Sequence, residues 1–109
     1  MMHAALAAGR WQTMSLAEQL GNIGSEFDRA LNWRQRDAPD KFESALARFI
    51  ELMNLTIADP RWKGLRRREL ARVKEQTISL LLDDKNVDSA PLQNYFTQFA
   101  FLARGRRPI

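Results

Sequence analysis

The sequence predicts an all-α protein, and more narrowly an antiparallel up-down four-helix bundle. Four separate stretches of the 109-residue chain repeat apolar residues at helical spacing. Pro39, Pro60 and Pro91 stand where helices are expected to begin, because the N–H that proline lacks would be unpaired in a first turn anyway. No stretch alternates apolar and polar residues, and no Asn-Gly or Asp-Gly hairpin turn occurs. Short links between four such helices favour antiparallel neighbours.

The first helix is predicted over about residues 15–35. Ser15 and Glu18 fit a capping box, in which the serine oxygen accepts from the N–H three residues on and the glutamate reaches back. The apolar stripe that follows contains Leu16, Leu20, Ile23, Phe27 and Ala30. Gly21 and Gly24 lie three residues apart in this helix, each costing about 1 kcal/mol against alanine. Local tolerance is one interpretation; we favour the close approach of another helix, from the bundle or from a partner chain.

The second and third helices are predicted on either side of the step from Asp59 to Pro60. The second begins at Pro39, and its apolar stripe consists of Phe42, Leu46, Phe49, Met53 and Ile57. Asp59 is expected to cap the third helix, with Pro60 at its first helical position. The third helix is predicted to end near Asp83 and to turn inward Trp62, Leu65, Leu70, Val73, Thr77, Leu80 and Leu81.

The fourth helix is predicted to begin around Ser89 and Pro91, after a polar loop. Its apolar stripe is largely aromatic and consists of Leu92, Tyr95, Phe96, Phe99, Leu102 and Ala103. Gly105 is a suitable C-terminal cap, because glycine adopts the left-handed conformation without strain. One domain is therefore expected over residues 15–105, between a flexible N-terminal segment at 1–14 and a basic C-terminal tail at 106–109.

Composition excludes several kinds of chemistry. The chain has no cysteine, so disulfides, thiolate catalysis and cysteine-ligated zinc are absent. Its one histidine, His3, lies in the predicted flexible segment, and no nucleophile–base pair, glycine-rich phosphate loop or metal-ligand set occurs. A non-enzyme without metal or cofactor is therefore predicted. No apolar run is long enough to span a bilayer and the start does not read as a signal peptide, which predicts a cytoplasmic protein without membrane contact.

Positive charge is concentrated in one segment. The chain carries 17 basic and 13 acidic residues, a net charge of +4. Residues 60–74 hold seven of these bases and one acid, Glu69, which makes a local net charge of +6. Bases near a helix N-terminus oppose the macrodipole, so helix stability alone does not account for them. Clustered bases on a helix are the electrostatic footprint of phosphate binding.

We therefore predict a nucleic-acid-binding surface on the third helix and at the C-terminal end. The candidate residues are Arg61, Lys63, Arg66, Arg67, Arg68, Arg72, Lys74, Arg104, Arg106 and Arg107. The alternative is a solvated helix face stabilised by the intrahelical pairs Arg66–Glu69 and Arg72–Glu75. The sequence does not decide between the two.

Apolar residues that fall off the predicted stripes indicate a surface for assembly. Trp33, Leu55 and Phe101 lie outside or at the edge of the apolar faces of their helices. Large exposed apolar patches are rarely left uncovered in a soluble monomer, which predicts a homo-oligomer or a contact with a larger protein. Trp11, Trp33 and Trp62 are also potential base-stacking platforms, although a core or interface role is commoner for tryptophan at helical spacing.

Two stretches of the chain resemble a family of small prokaryotic proteins. Residues 11–26 contain the block Trp-Gln-Thr-Met-Ser-Leu, and residues 52–61 end in Ile-Ala-Asp-Pro-Arg. With Tyr95-Phe96 and the closing Phe101-Leu102-Ala103-Arg104, they are similar to accessory proteins of diversity-generating retroelements. The relevant class is labelled by a Met-Ser-Leu tripeptide, which stands here at residues 14–16. The resemblance covers residues 11–104.

The resemblance implies an accessory to an error-prone reverse transcriptase. Better-described accessory proteins of these elements are basic four-helix bundles that assemble into rings, bind the reverse transcriptase and template RNA, and are needed for mutagenic retrohoming. No catalytic residue is implied, because the polymerase supplies the chemistry, and the number of subunits is not carried over. The expected partners are a reverse transcriptase, template RNA or cDNA, and further copies of this chain.

Three functions remain open on the sequence. The first is a basic accessory module that acts on RNA or cDNA together with a polymerase. The second is a structural protein–protein interaction module with no nucleic-acid role, whose basic segment docks an acidic partner. The third is an unrecognised enzyme such as a small nuclease. Salt dependence separates the first two, because phosphate contacts release counterions and weaken steeply with salt.

Overall fold

The structure, a computed structural model, is all-helical. It describes residues 9–83 and 87–105. A 3-10 helix at Trp11–Thr13 precedes four α-helices: α1 (Leu16–Gln35), α2 (Pro39–Ile57), α3 (Leu65–Asp83) and α4 (Ala90–Ala103). No strand occurs among the described residues. The predicted all-α four-helix bundle is confirmed.

Helix α1 lies at the centre of the bundle, with α2 antiparallel to it. The start of α1 meets the end of α2, where Gln19 bonds Asp59 at 3.2 Å. Further along, Arg48 of α2 donates to the carboxylate of Glu26 in α1 at 2.5 Å. Helix α4 packs along α1 as closely as α2 does, whereas α3 packs chiefly against α2.

The close contact between α1 and α4 depends on two glycines. A Cβ at Gly24 would stand 2.5 Å from the Cβ of Phe96, and a Cβ at Gly21 would stand 3.1 Å from the Cα of Ala100. A real side chain at Gly24 would therefore push the helices apart. The predicted close approach of another helix is confirmed, and the helix in question is α4 of the same bundle.

The core is centred on three phenylalanines from three helices. Phe27 of α1, Phe49 of α2 and Phe96 of α4 are buried, with ring centroids 5.8 to 6.4 Å apart. Helix α3 adds an inward stripe of Leu70, Val73, Thr77, Leu80 and Leu81, all of which were predicted to face inward and are buried. Burying a large apolar side chain contributes about 1.5–3 kcal/mol, so this cluster is a main source of stability.

Two helix caps predicted from residue types, at Ser15 and Gly105, are present. Ser15 Oγ accepts from the Glu18 N–H at 3.1 Å while Glu18 Oε1 accepts from the Ser15 N–H at 2.9 Å, so the capping box is confirmed. Gly105 follows α4 with a φ of +67°. At the far end, Arg34 of α1 donates to the carbonyl oxygens of Leu80 and Leu81, which satisfies the C-terminus of α3.

The start predicted for α3 is wrong by five residues. The helix begins at Leu65 instead of Pro60, because residues 60–64 form turns and Gly64 adopts a φ of +61° just before the first helical residue. Asp59 does not cap the helix, since its carboxylate is bound by Arg61 and Gln19. Leu65, predicted to face inward, is 81% exposed, because helical spacing places it about 140° from the buried Leu70.

The predicted flexible segment before residue 15 is also corrected. Trp11 is only 1% exposed, and its indole N–H donates to Thr56 Oγ1 at 2.9 Å. Residues 11–14 therefore belong to the bundle, because they cover the junction of α1 and α2. Residues 1–8 and the predicted basic tail at 106–109 lie outside the described part of the chain.

The last turn of α4 departs from the predicted stripe. Phe96 is buried, and Leu92, Tyr95 and Phe99 are half-buried, as expected for a face that packs on the core. Leu102 and Ala103, which were placed on the same stripe, are exposed. The reason is that α3 packs on α2 and leaves this side of the end of α4 uncovered.

Candidate nucleic-acid interface

One end of the bundle gathers most of the predicted site residues. The start of α1, the end of α2, the start of α3 and the end of α4 meet there, since neighbouring helices are antiparallel. We call this the basic end. A buried polar network ties it together, and that network decides which of the bases are free to bind a ligand.

Gln19 is the centre of this network. Its side chain is fully buried, and its Nε2 donates to the carbonyl of Trp11 at 2.9 Å and to Asp59 Oδ2 at 3.2 Å. Its Oε1 accepts from the indole N–H of Trp62 at 2.9 Å. The amide thus joins the 3-10 helix, α1 and the turn after α2 with all its buried atoms satisfied.

Arg61 is committed to the same network. Its Nη2 and Nε lie 2.7 and 3.1 Å from the carboxylate oxygens of Asp59, and Nη2 also donates to the carbonyl of Met14 at 2.7 Å. The hydrogen bonds from Arg61 lower the pKa of Asp59 to about 2, with a smaller contribution from Gln19, against the opposing effect of burial. Arg61 is therefore a structural residue, and its place among the predicted phosphate ligands is corrected, because its charge is paired with the buried carboxylate of Asp59.

Arg67 is corrected for a similar reason. Its Nε donates to the carbonyl of Ile57 at 2.9 Å and its Nη2 to the carbonyl of Asp59 at 3.0 Å. These carbonyls lie at and just after the end of α2, where helical partners are lacking. The guanidinium therefore caps α2 and fastens α3 to it.

This network joins the two stretches that carry the family resemblance. Residues 11–26 and 52–61 are far apart in sequence but meet at the basic end, through Trp11–Thr56 and Gln19–Asp59. In the structure their polar residues hold the bundle together. Gln19 is not among the residues predicted from the sequence. Helical spacing places it beside the apolar Leu16 and Leu20, and a polar residue at such a position indicates a buried hydrogen-bonding side chain.

Three of the predicted bases remain without a partner. Lys63, Arg68 and Arg72 are exposed and make no side-chain hydrogen bond or ion pair with the described residues. Arg68 and Arg72 are one turn apart on the face of α3 that points away from the buried Leu70 and Val73. The Arg72–Glu75 pair that a solvated helix face would favour does not form among these side chains. We call Lys63, Arg68 and Arg72 the free basic face.

Two further bases of α3 are partly engaged. Arg66 donates to Glu69 Oε2 at 2.7 Å, and the hydroxyl of Tyr95 donates to the same oxygen at 2.7 Å. Burial and the neighbouring Glu69 carboxylate raise the pKa of Tyr95 well above its usual range, so the phenol stays protonated and links α4 to α3. Lys74 donates to Asn54 Oδ1 at 2.7 Å. Both cations are at the surface and retain unused donors.

Arg104, just after α4, lies at the basic end but on its α1–α4 side. Arg104 lies over the ring of Phe101 at 5.7 Å and lines shallow grooves formed by α1 and α4. None of the residues that line those grooves comes from α3, so the structure does not bring Arg104 beside the free basic face. Arg106 and Arg107 lie outside the described residues.

Two of the three residues of the predicted assembly surface already pack within the bundle, and their role in assembly stays a prediction. Trp33 and Leu55 are half-buried and pack against the core, because the apolar faces of α1 and α2 are wider than their central stripes. The ring of Trp33 is further covered by the Nζ of Lys41, 4.5 Å from its centroid. Phe101 is 48% exposed, and its neighbour Leu102 is exposed as well.

Within residues 9–83 and 87–105 there is no group of three or more acidic or histidine side chains that could hold a metal ion. No helix in the described part of the chain is long and apolar enough to cross a membrane. What the arrangement offers is a rigid helix with an outward row of cations, which suits a polyanion. No family model, curated protein or solved structure matches this chain.

Proposed function

We propose that this chain is a non-catalytic accessory protein that binds RNA or cDNA through the free basic face. Its partner in this role is the reverse transcriptase of a diversity-generating retroelement. The observation that carries the nucleic-acid part is that Lys63, Arg68 and Arg72 project outward without any carboxylate partner in the described chain. The resemblance of residues 11–26 and 52–61 supports the retroelement part.

The network at the basic end supports this proposal physically. Arg67 and Arg61 anchor the start of α3 to α2 and to the 3-10 helix, so the helix that carries the free basic face is held rigidly. A helix whose backbone is already ordered loses little backbone freedom when its cations meet phosphates, and the cost that remains is the rotamer freedom of the side chains themselves. Arg66 and Lys74 lie on other sides of α3, bonded to Glu69 and Asn54, and add positive charge without a direct role in the first contacts.

The decisive experiment is a salt titration of RNA binding. Arg68→Gln combined with Arg72→Gln removes two cations that hold no protein contact. Binding of a labelled single-stranded RNA should weaken, and the slope of log affinity against log salt should fall by about 1.4 units, since each phosphate contact on a single strand contributes about 0.7.

A matched variant controls for net charge. Arg36→Gln combined with Lys41→Gln removes the same charge beside Trp33, at the opposite end of the bundle. RNA binding should keep its salt slope in this variant. An equal loss in both variants, or unchanged binding in the Arg68 and Arg72 variant, would contradict the free basic face as the binding site.

The polymerase partnership needs its own test. A reverse transcriptase and a template–variable repeat pair beside the gene, together with co-purification of the two proteins, are the expected results. A chain that binds RNA but lies beside no reverse transcriptase would remove the retroelement part and leave the nucleic-acid part standing.

The second candidate function is a structural module that docks an acidic protein. The same free basic face favours it, because carboxylates on a partner would satisfy Arg68 and Arg72 as well as phosphates do. This candidate predicts no measurable affinity for RNA at low salt. It also predicts that an acidic polypeptide such as polyglutamate competes for the surface.

A further inference from the structure

A groove of about 540 Å³ opens between the second half of α3 and the start of α4. Tyr95 of α4 bonds Glu69 nearer the start of α3, whereas α3 otherwise packs chiefly against α2. The volume of the groove falls in the range of about 300–1,000 Å³ that small-molecule pockets occupy. The groove lies away from the free basic face, on the half of α3 that carries no base.

The floor of this groove is apolar. Leu80 of α3 and Leu92 of α4 line it, and Val87 stands at its edge with 46% of its surface exposed. Leu82, which precedes the lining residue Asp83 on α3, is 58% exposed. Exposed apolar side chains gathered around a concave surface indicate a site that another molecule covers.

The rim of the groove is negative. Glu75 and Asp83 on α3 and Asp88 before α4 all line it, and none of the described lining residues is basic. Asp83 accepts from Ser79, and Asp88 accepts from the N–H of Ala90, so these carboxylates are ordered. Such a rim repels phosphates and attracts cations, which excludes RNA as the occupant.

We propose that this groove binds a basic amphipathic segment of a partner protein, with apolar side chains on the groove floor and lysines or arginines against the acidic rim. The charge complementarity chooses this occupant over an acidic or neutral peptide. The proposal is independent of the nucleic-acid function, because none of Lys63, Arg68 and Arg72 lines the groove. Under this proposal the basic first half of α3 binds a polyanion, and its second half, with the acidic rim, binds a basic segment of a protein.

A synthetic peptide pair tests the proposal. The probe is a labelled helical peptide of about four turns with leucine at i, i+3, i+4 and i+7 and lysine elsewhere. Its matched partner has glutamate in place of lysine. Both peptides are measured on the full chain carrying Arg68→Gln and Arg72→Gln, because the free basic face of the wild-type chain could bind the glutamate peptide. The lysine peptide should bind this variant in fluorescence anisotropy, and the glutamate peptide should not. Equal binding of both peptides, or no binding of the lysine peptide, would overturn the proposal.

Variants of the chain locate the site. Glu75→Arg combined with Val87→Arg should weaken lysine-peptide binding by about tenfold or more, because like charges then face each other at the rim. Glu43→Arg, an exposed charge reversal on α2, should leave it unchanged. Should the double variant lose its helical circular dichroism, Ser79→Trp fills the groove without altering charge and should weaken binding in the same way.

Two readouts keep this proposal separate from the others. Arg68→Gln combined with Arg72→Gln should lower RNA affinity and leave peptide binding intact, whereas the groove variants should do the reverse. Sedimentation of the wild-type chain tests for a second copy as occupant. Self-association that disappears in the groove variants would assign the groove to another copy of this chain and overturn the choice of a separate partner protein.

Discussion

Arg61 Nη2 lies 2.7 Å from Asp59 Oδ2, so a carboxylate that is only 1% exposed is paired with a guanidinium two residues away. The pair closes the turn after α2 and reaches the carbonyl of Met14 across the chain. The Asp-Pro-Arg sequence at residues 59–61 predicts a helix start. In the structure it forms a turn that links the end of α2 to the segment before α1 through hydrogen bonds of Arg61. Arg61, which was predicted to bind phosphate, is therefore bonded to groups of the protein itself.

Loss of the Asp59 carboxylate should destabilise the bundle. Asp59→Asn keeps the volume but removes charge-assisted bonds to Arg61, and chemical denaturation should show a loss of about 1–3 kcal/mol. The exposed Asp40→Asn should stay within about 0.5 kcal/mol of wild type. A loss no larger for Asp59→Asn than for Asp40→Asn would show that the pair contributes nothing to stability.

The same carboxylate should make stability depend on acid pH. Its pKa is about 2 in the folded protein, against 3.8 for an unperturbed aspartate, so the folded state binds the proton more weakly than the unfolded state. The stabilisation is therefore fully present above pH 3.8 and is lost as the pH falls toward 2. Denaturation of wild type and Asp59→Asn should converge over this interval, and parallel curves would contradict the assignment.

Ser15 should act as a helix cap only. Ser15→Ala removes the acceptor for the Glu18 N–H and should lower the free energy of unfolding by about 1 kcal/mol, measured by thermal or urea denaturation. Binding of RNA should be unaffected. A loss of partner binding without a change in melting temperature would instead make the Met-Ser-Leu segment a contact surface.

Gly24 should not tolerate a side chain. Alanine there would gain about 1 kcal/mol of helix propensity, but its Cβ would collide with Phe96 and overpacking typically costs about 1–3 kcal/mol. Gly24→Ala should therefore be less stable than wild type in urea denaturation. Ser25→Ala, an exposed neighbour on α1, is the control and should change stability little. An unchanged or raised stability of Gly24→Ala would contradict the close packing of α1 on α4.

Self-association is expected through the exposed end of α4. Phe101 and Leu102 are both exposed there, and light scattering over a dilution series should report a mass above the 12.6 kDa of one chain. Phe101→Asp should shift the mixture toward monomer. A monomer at high concentration would refute self-association and leave a contact with a larger protein as the role of this surface.

The sequence by itself determined the class of fold and the outline of three helices. Heptad-like apolar spacing specifies α1, α2 and α4, because helix periodicity is a local property that a short window records. The capping box at Ser15 and the glycine cap after α4 could also be predicted from the sequence, because each depends only on residues within one turn.

Only the tertiary structure decided which charges are available. The sequence alone does not distinguish Arg61, Arg67 and Arg68. In the structure Arg61 binds Asp59 and Arg67 binds carbonyls at the end of α2, whereas Arg68 faces outward. The difference arises because these partners come close only when the chain folds. The sequence also did not predict the groove with its acidic rim. Glu75 and Asp88 belong to different segments, and they line one groove only because α3 and α4 lie side by side. Local spacing specifies helices, but pairing across helices specifies which side chains a ligand can reach.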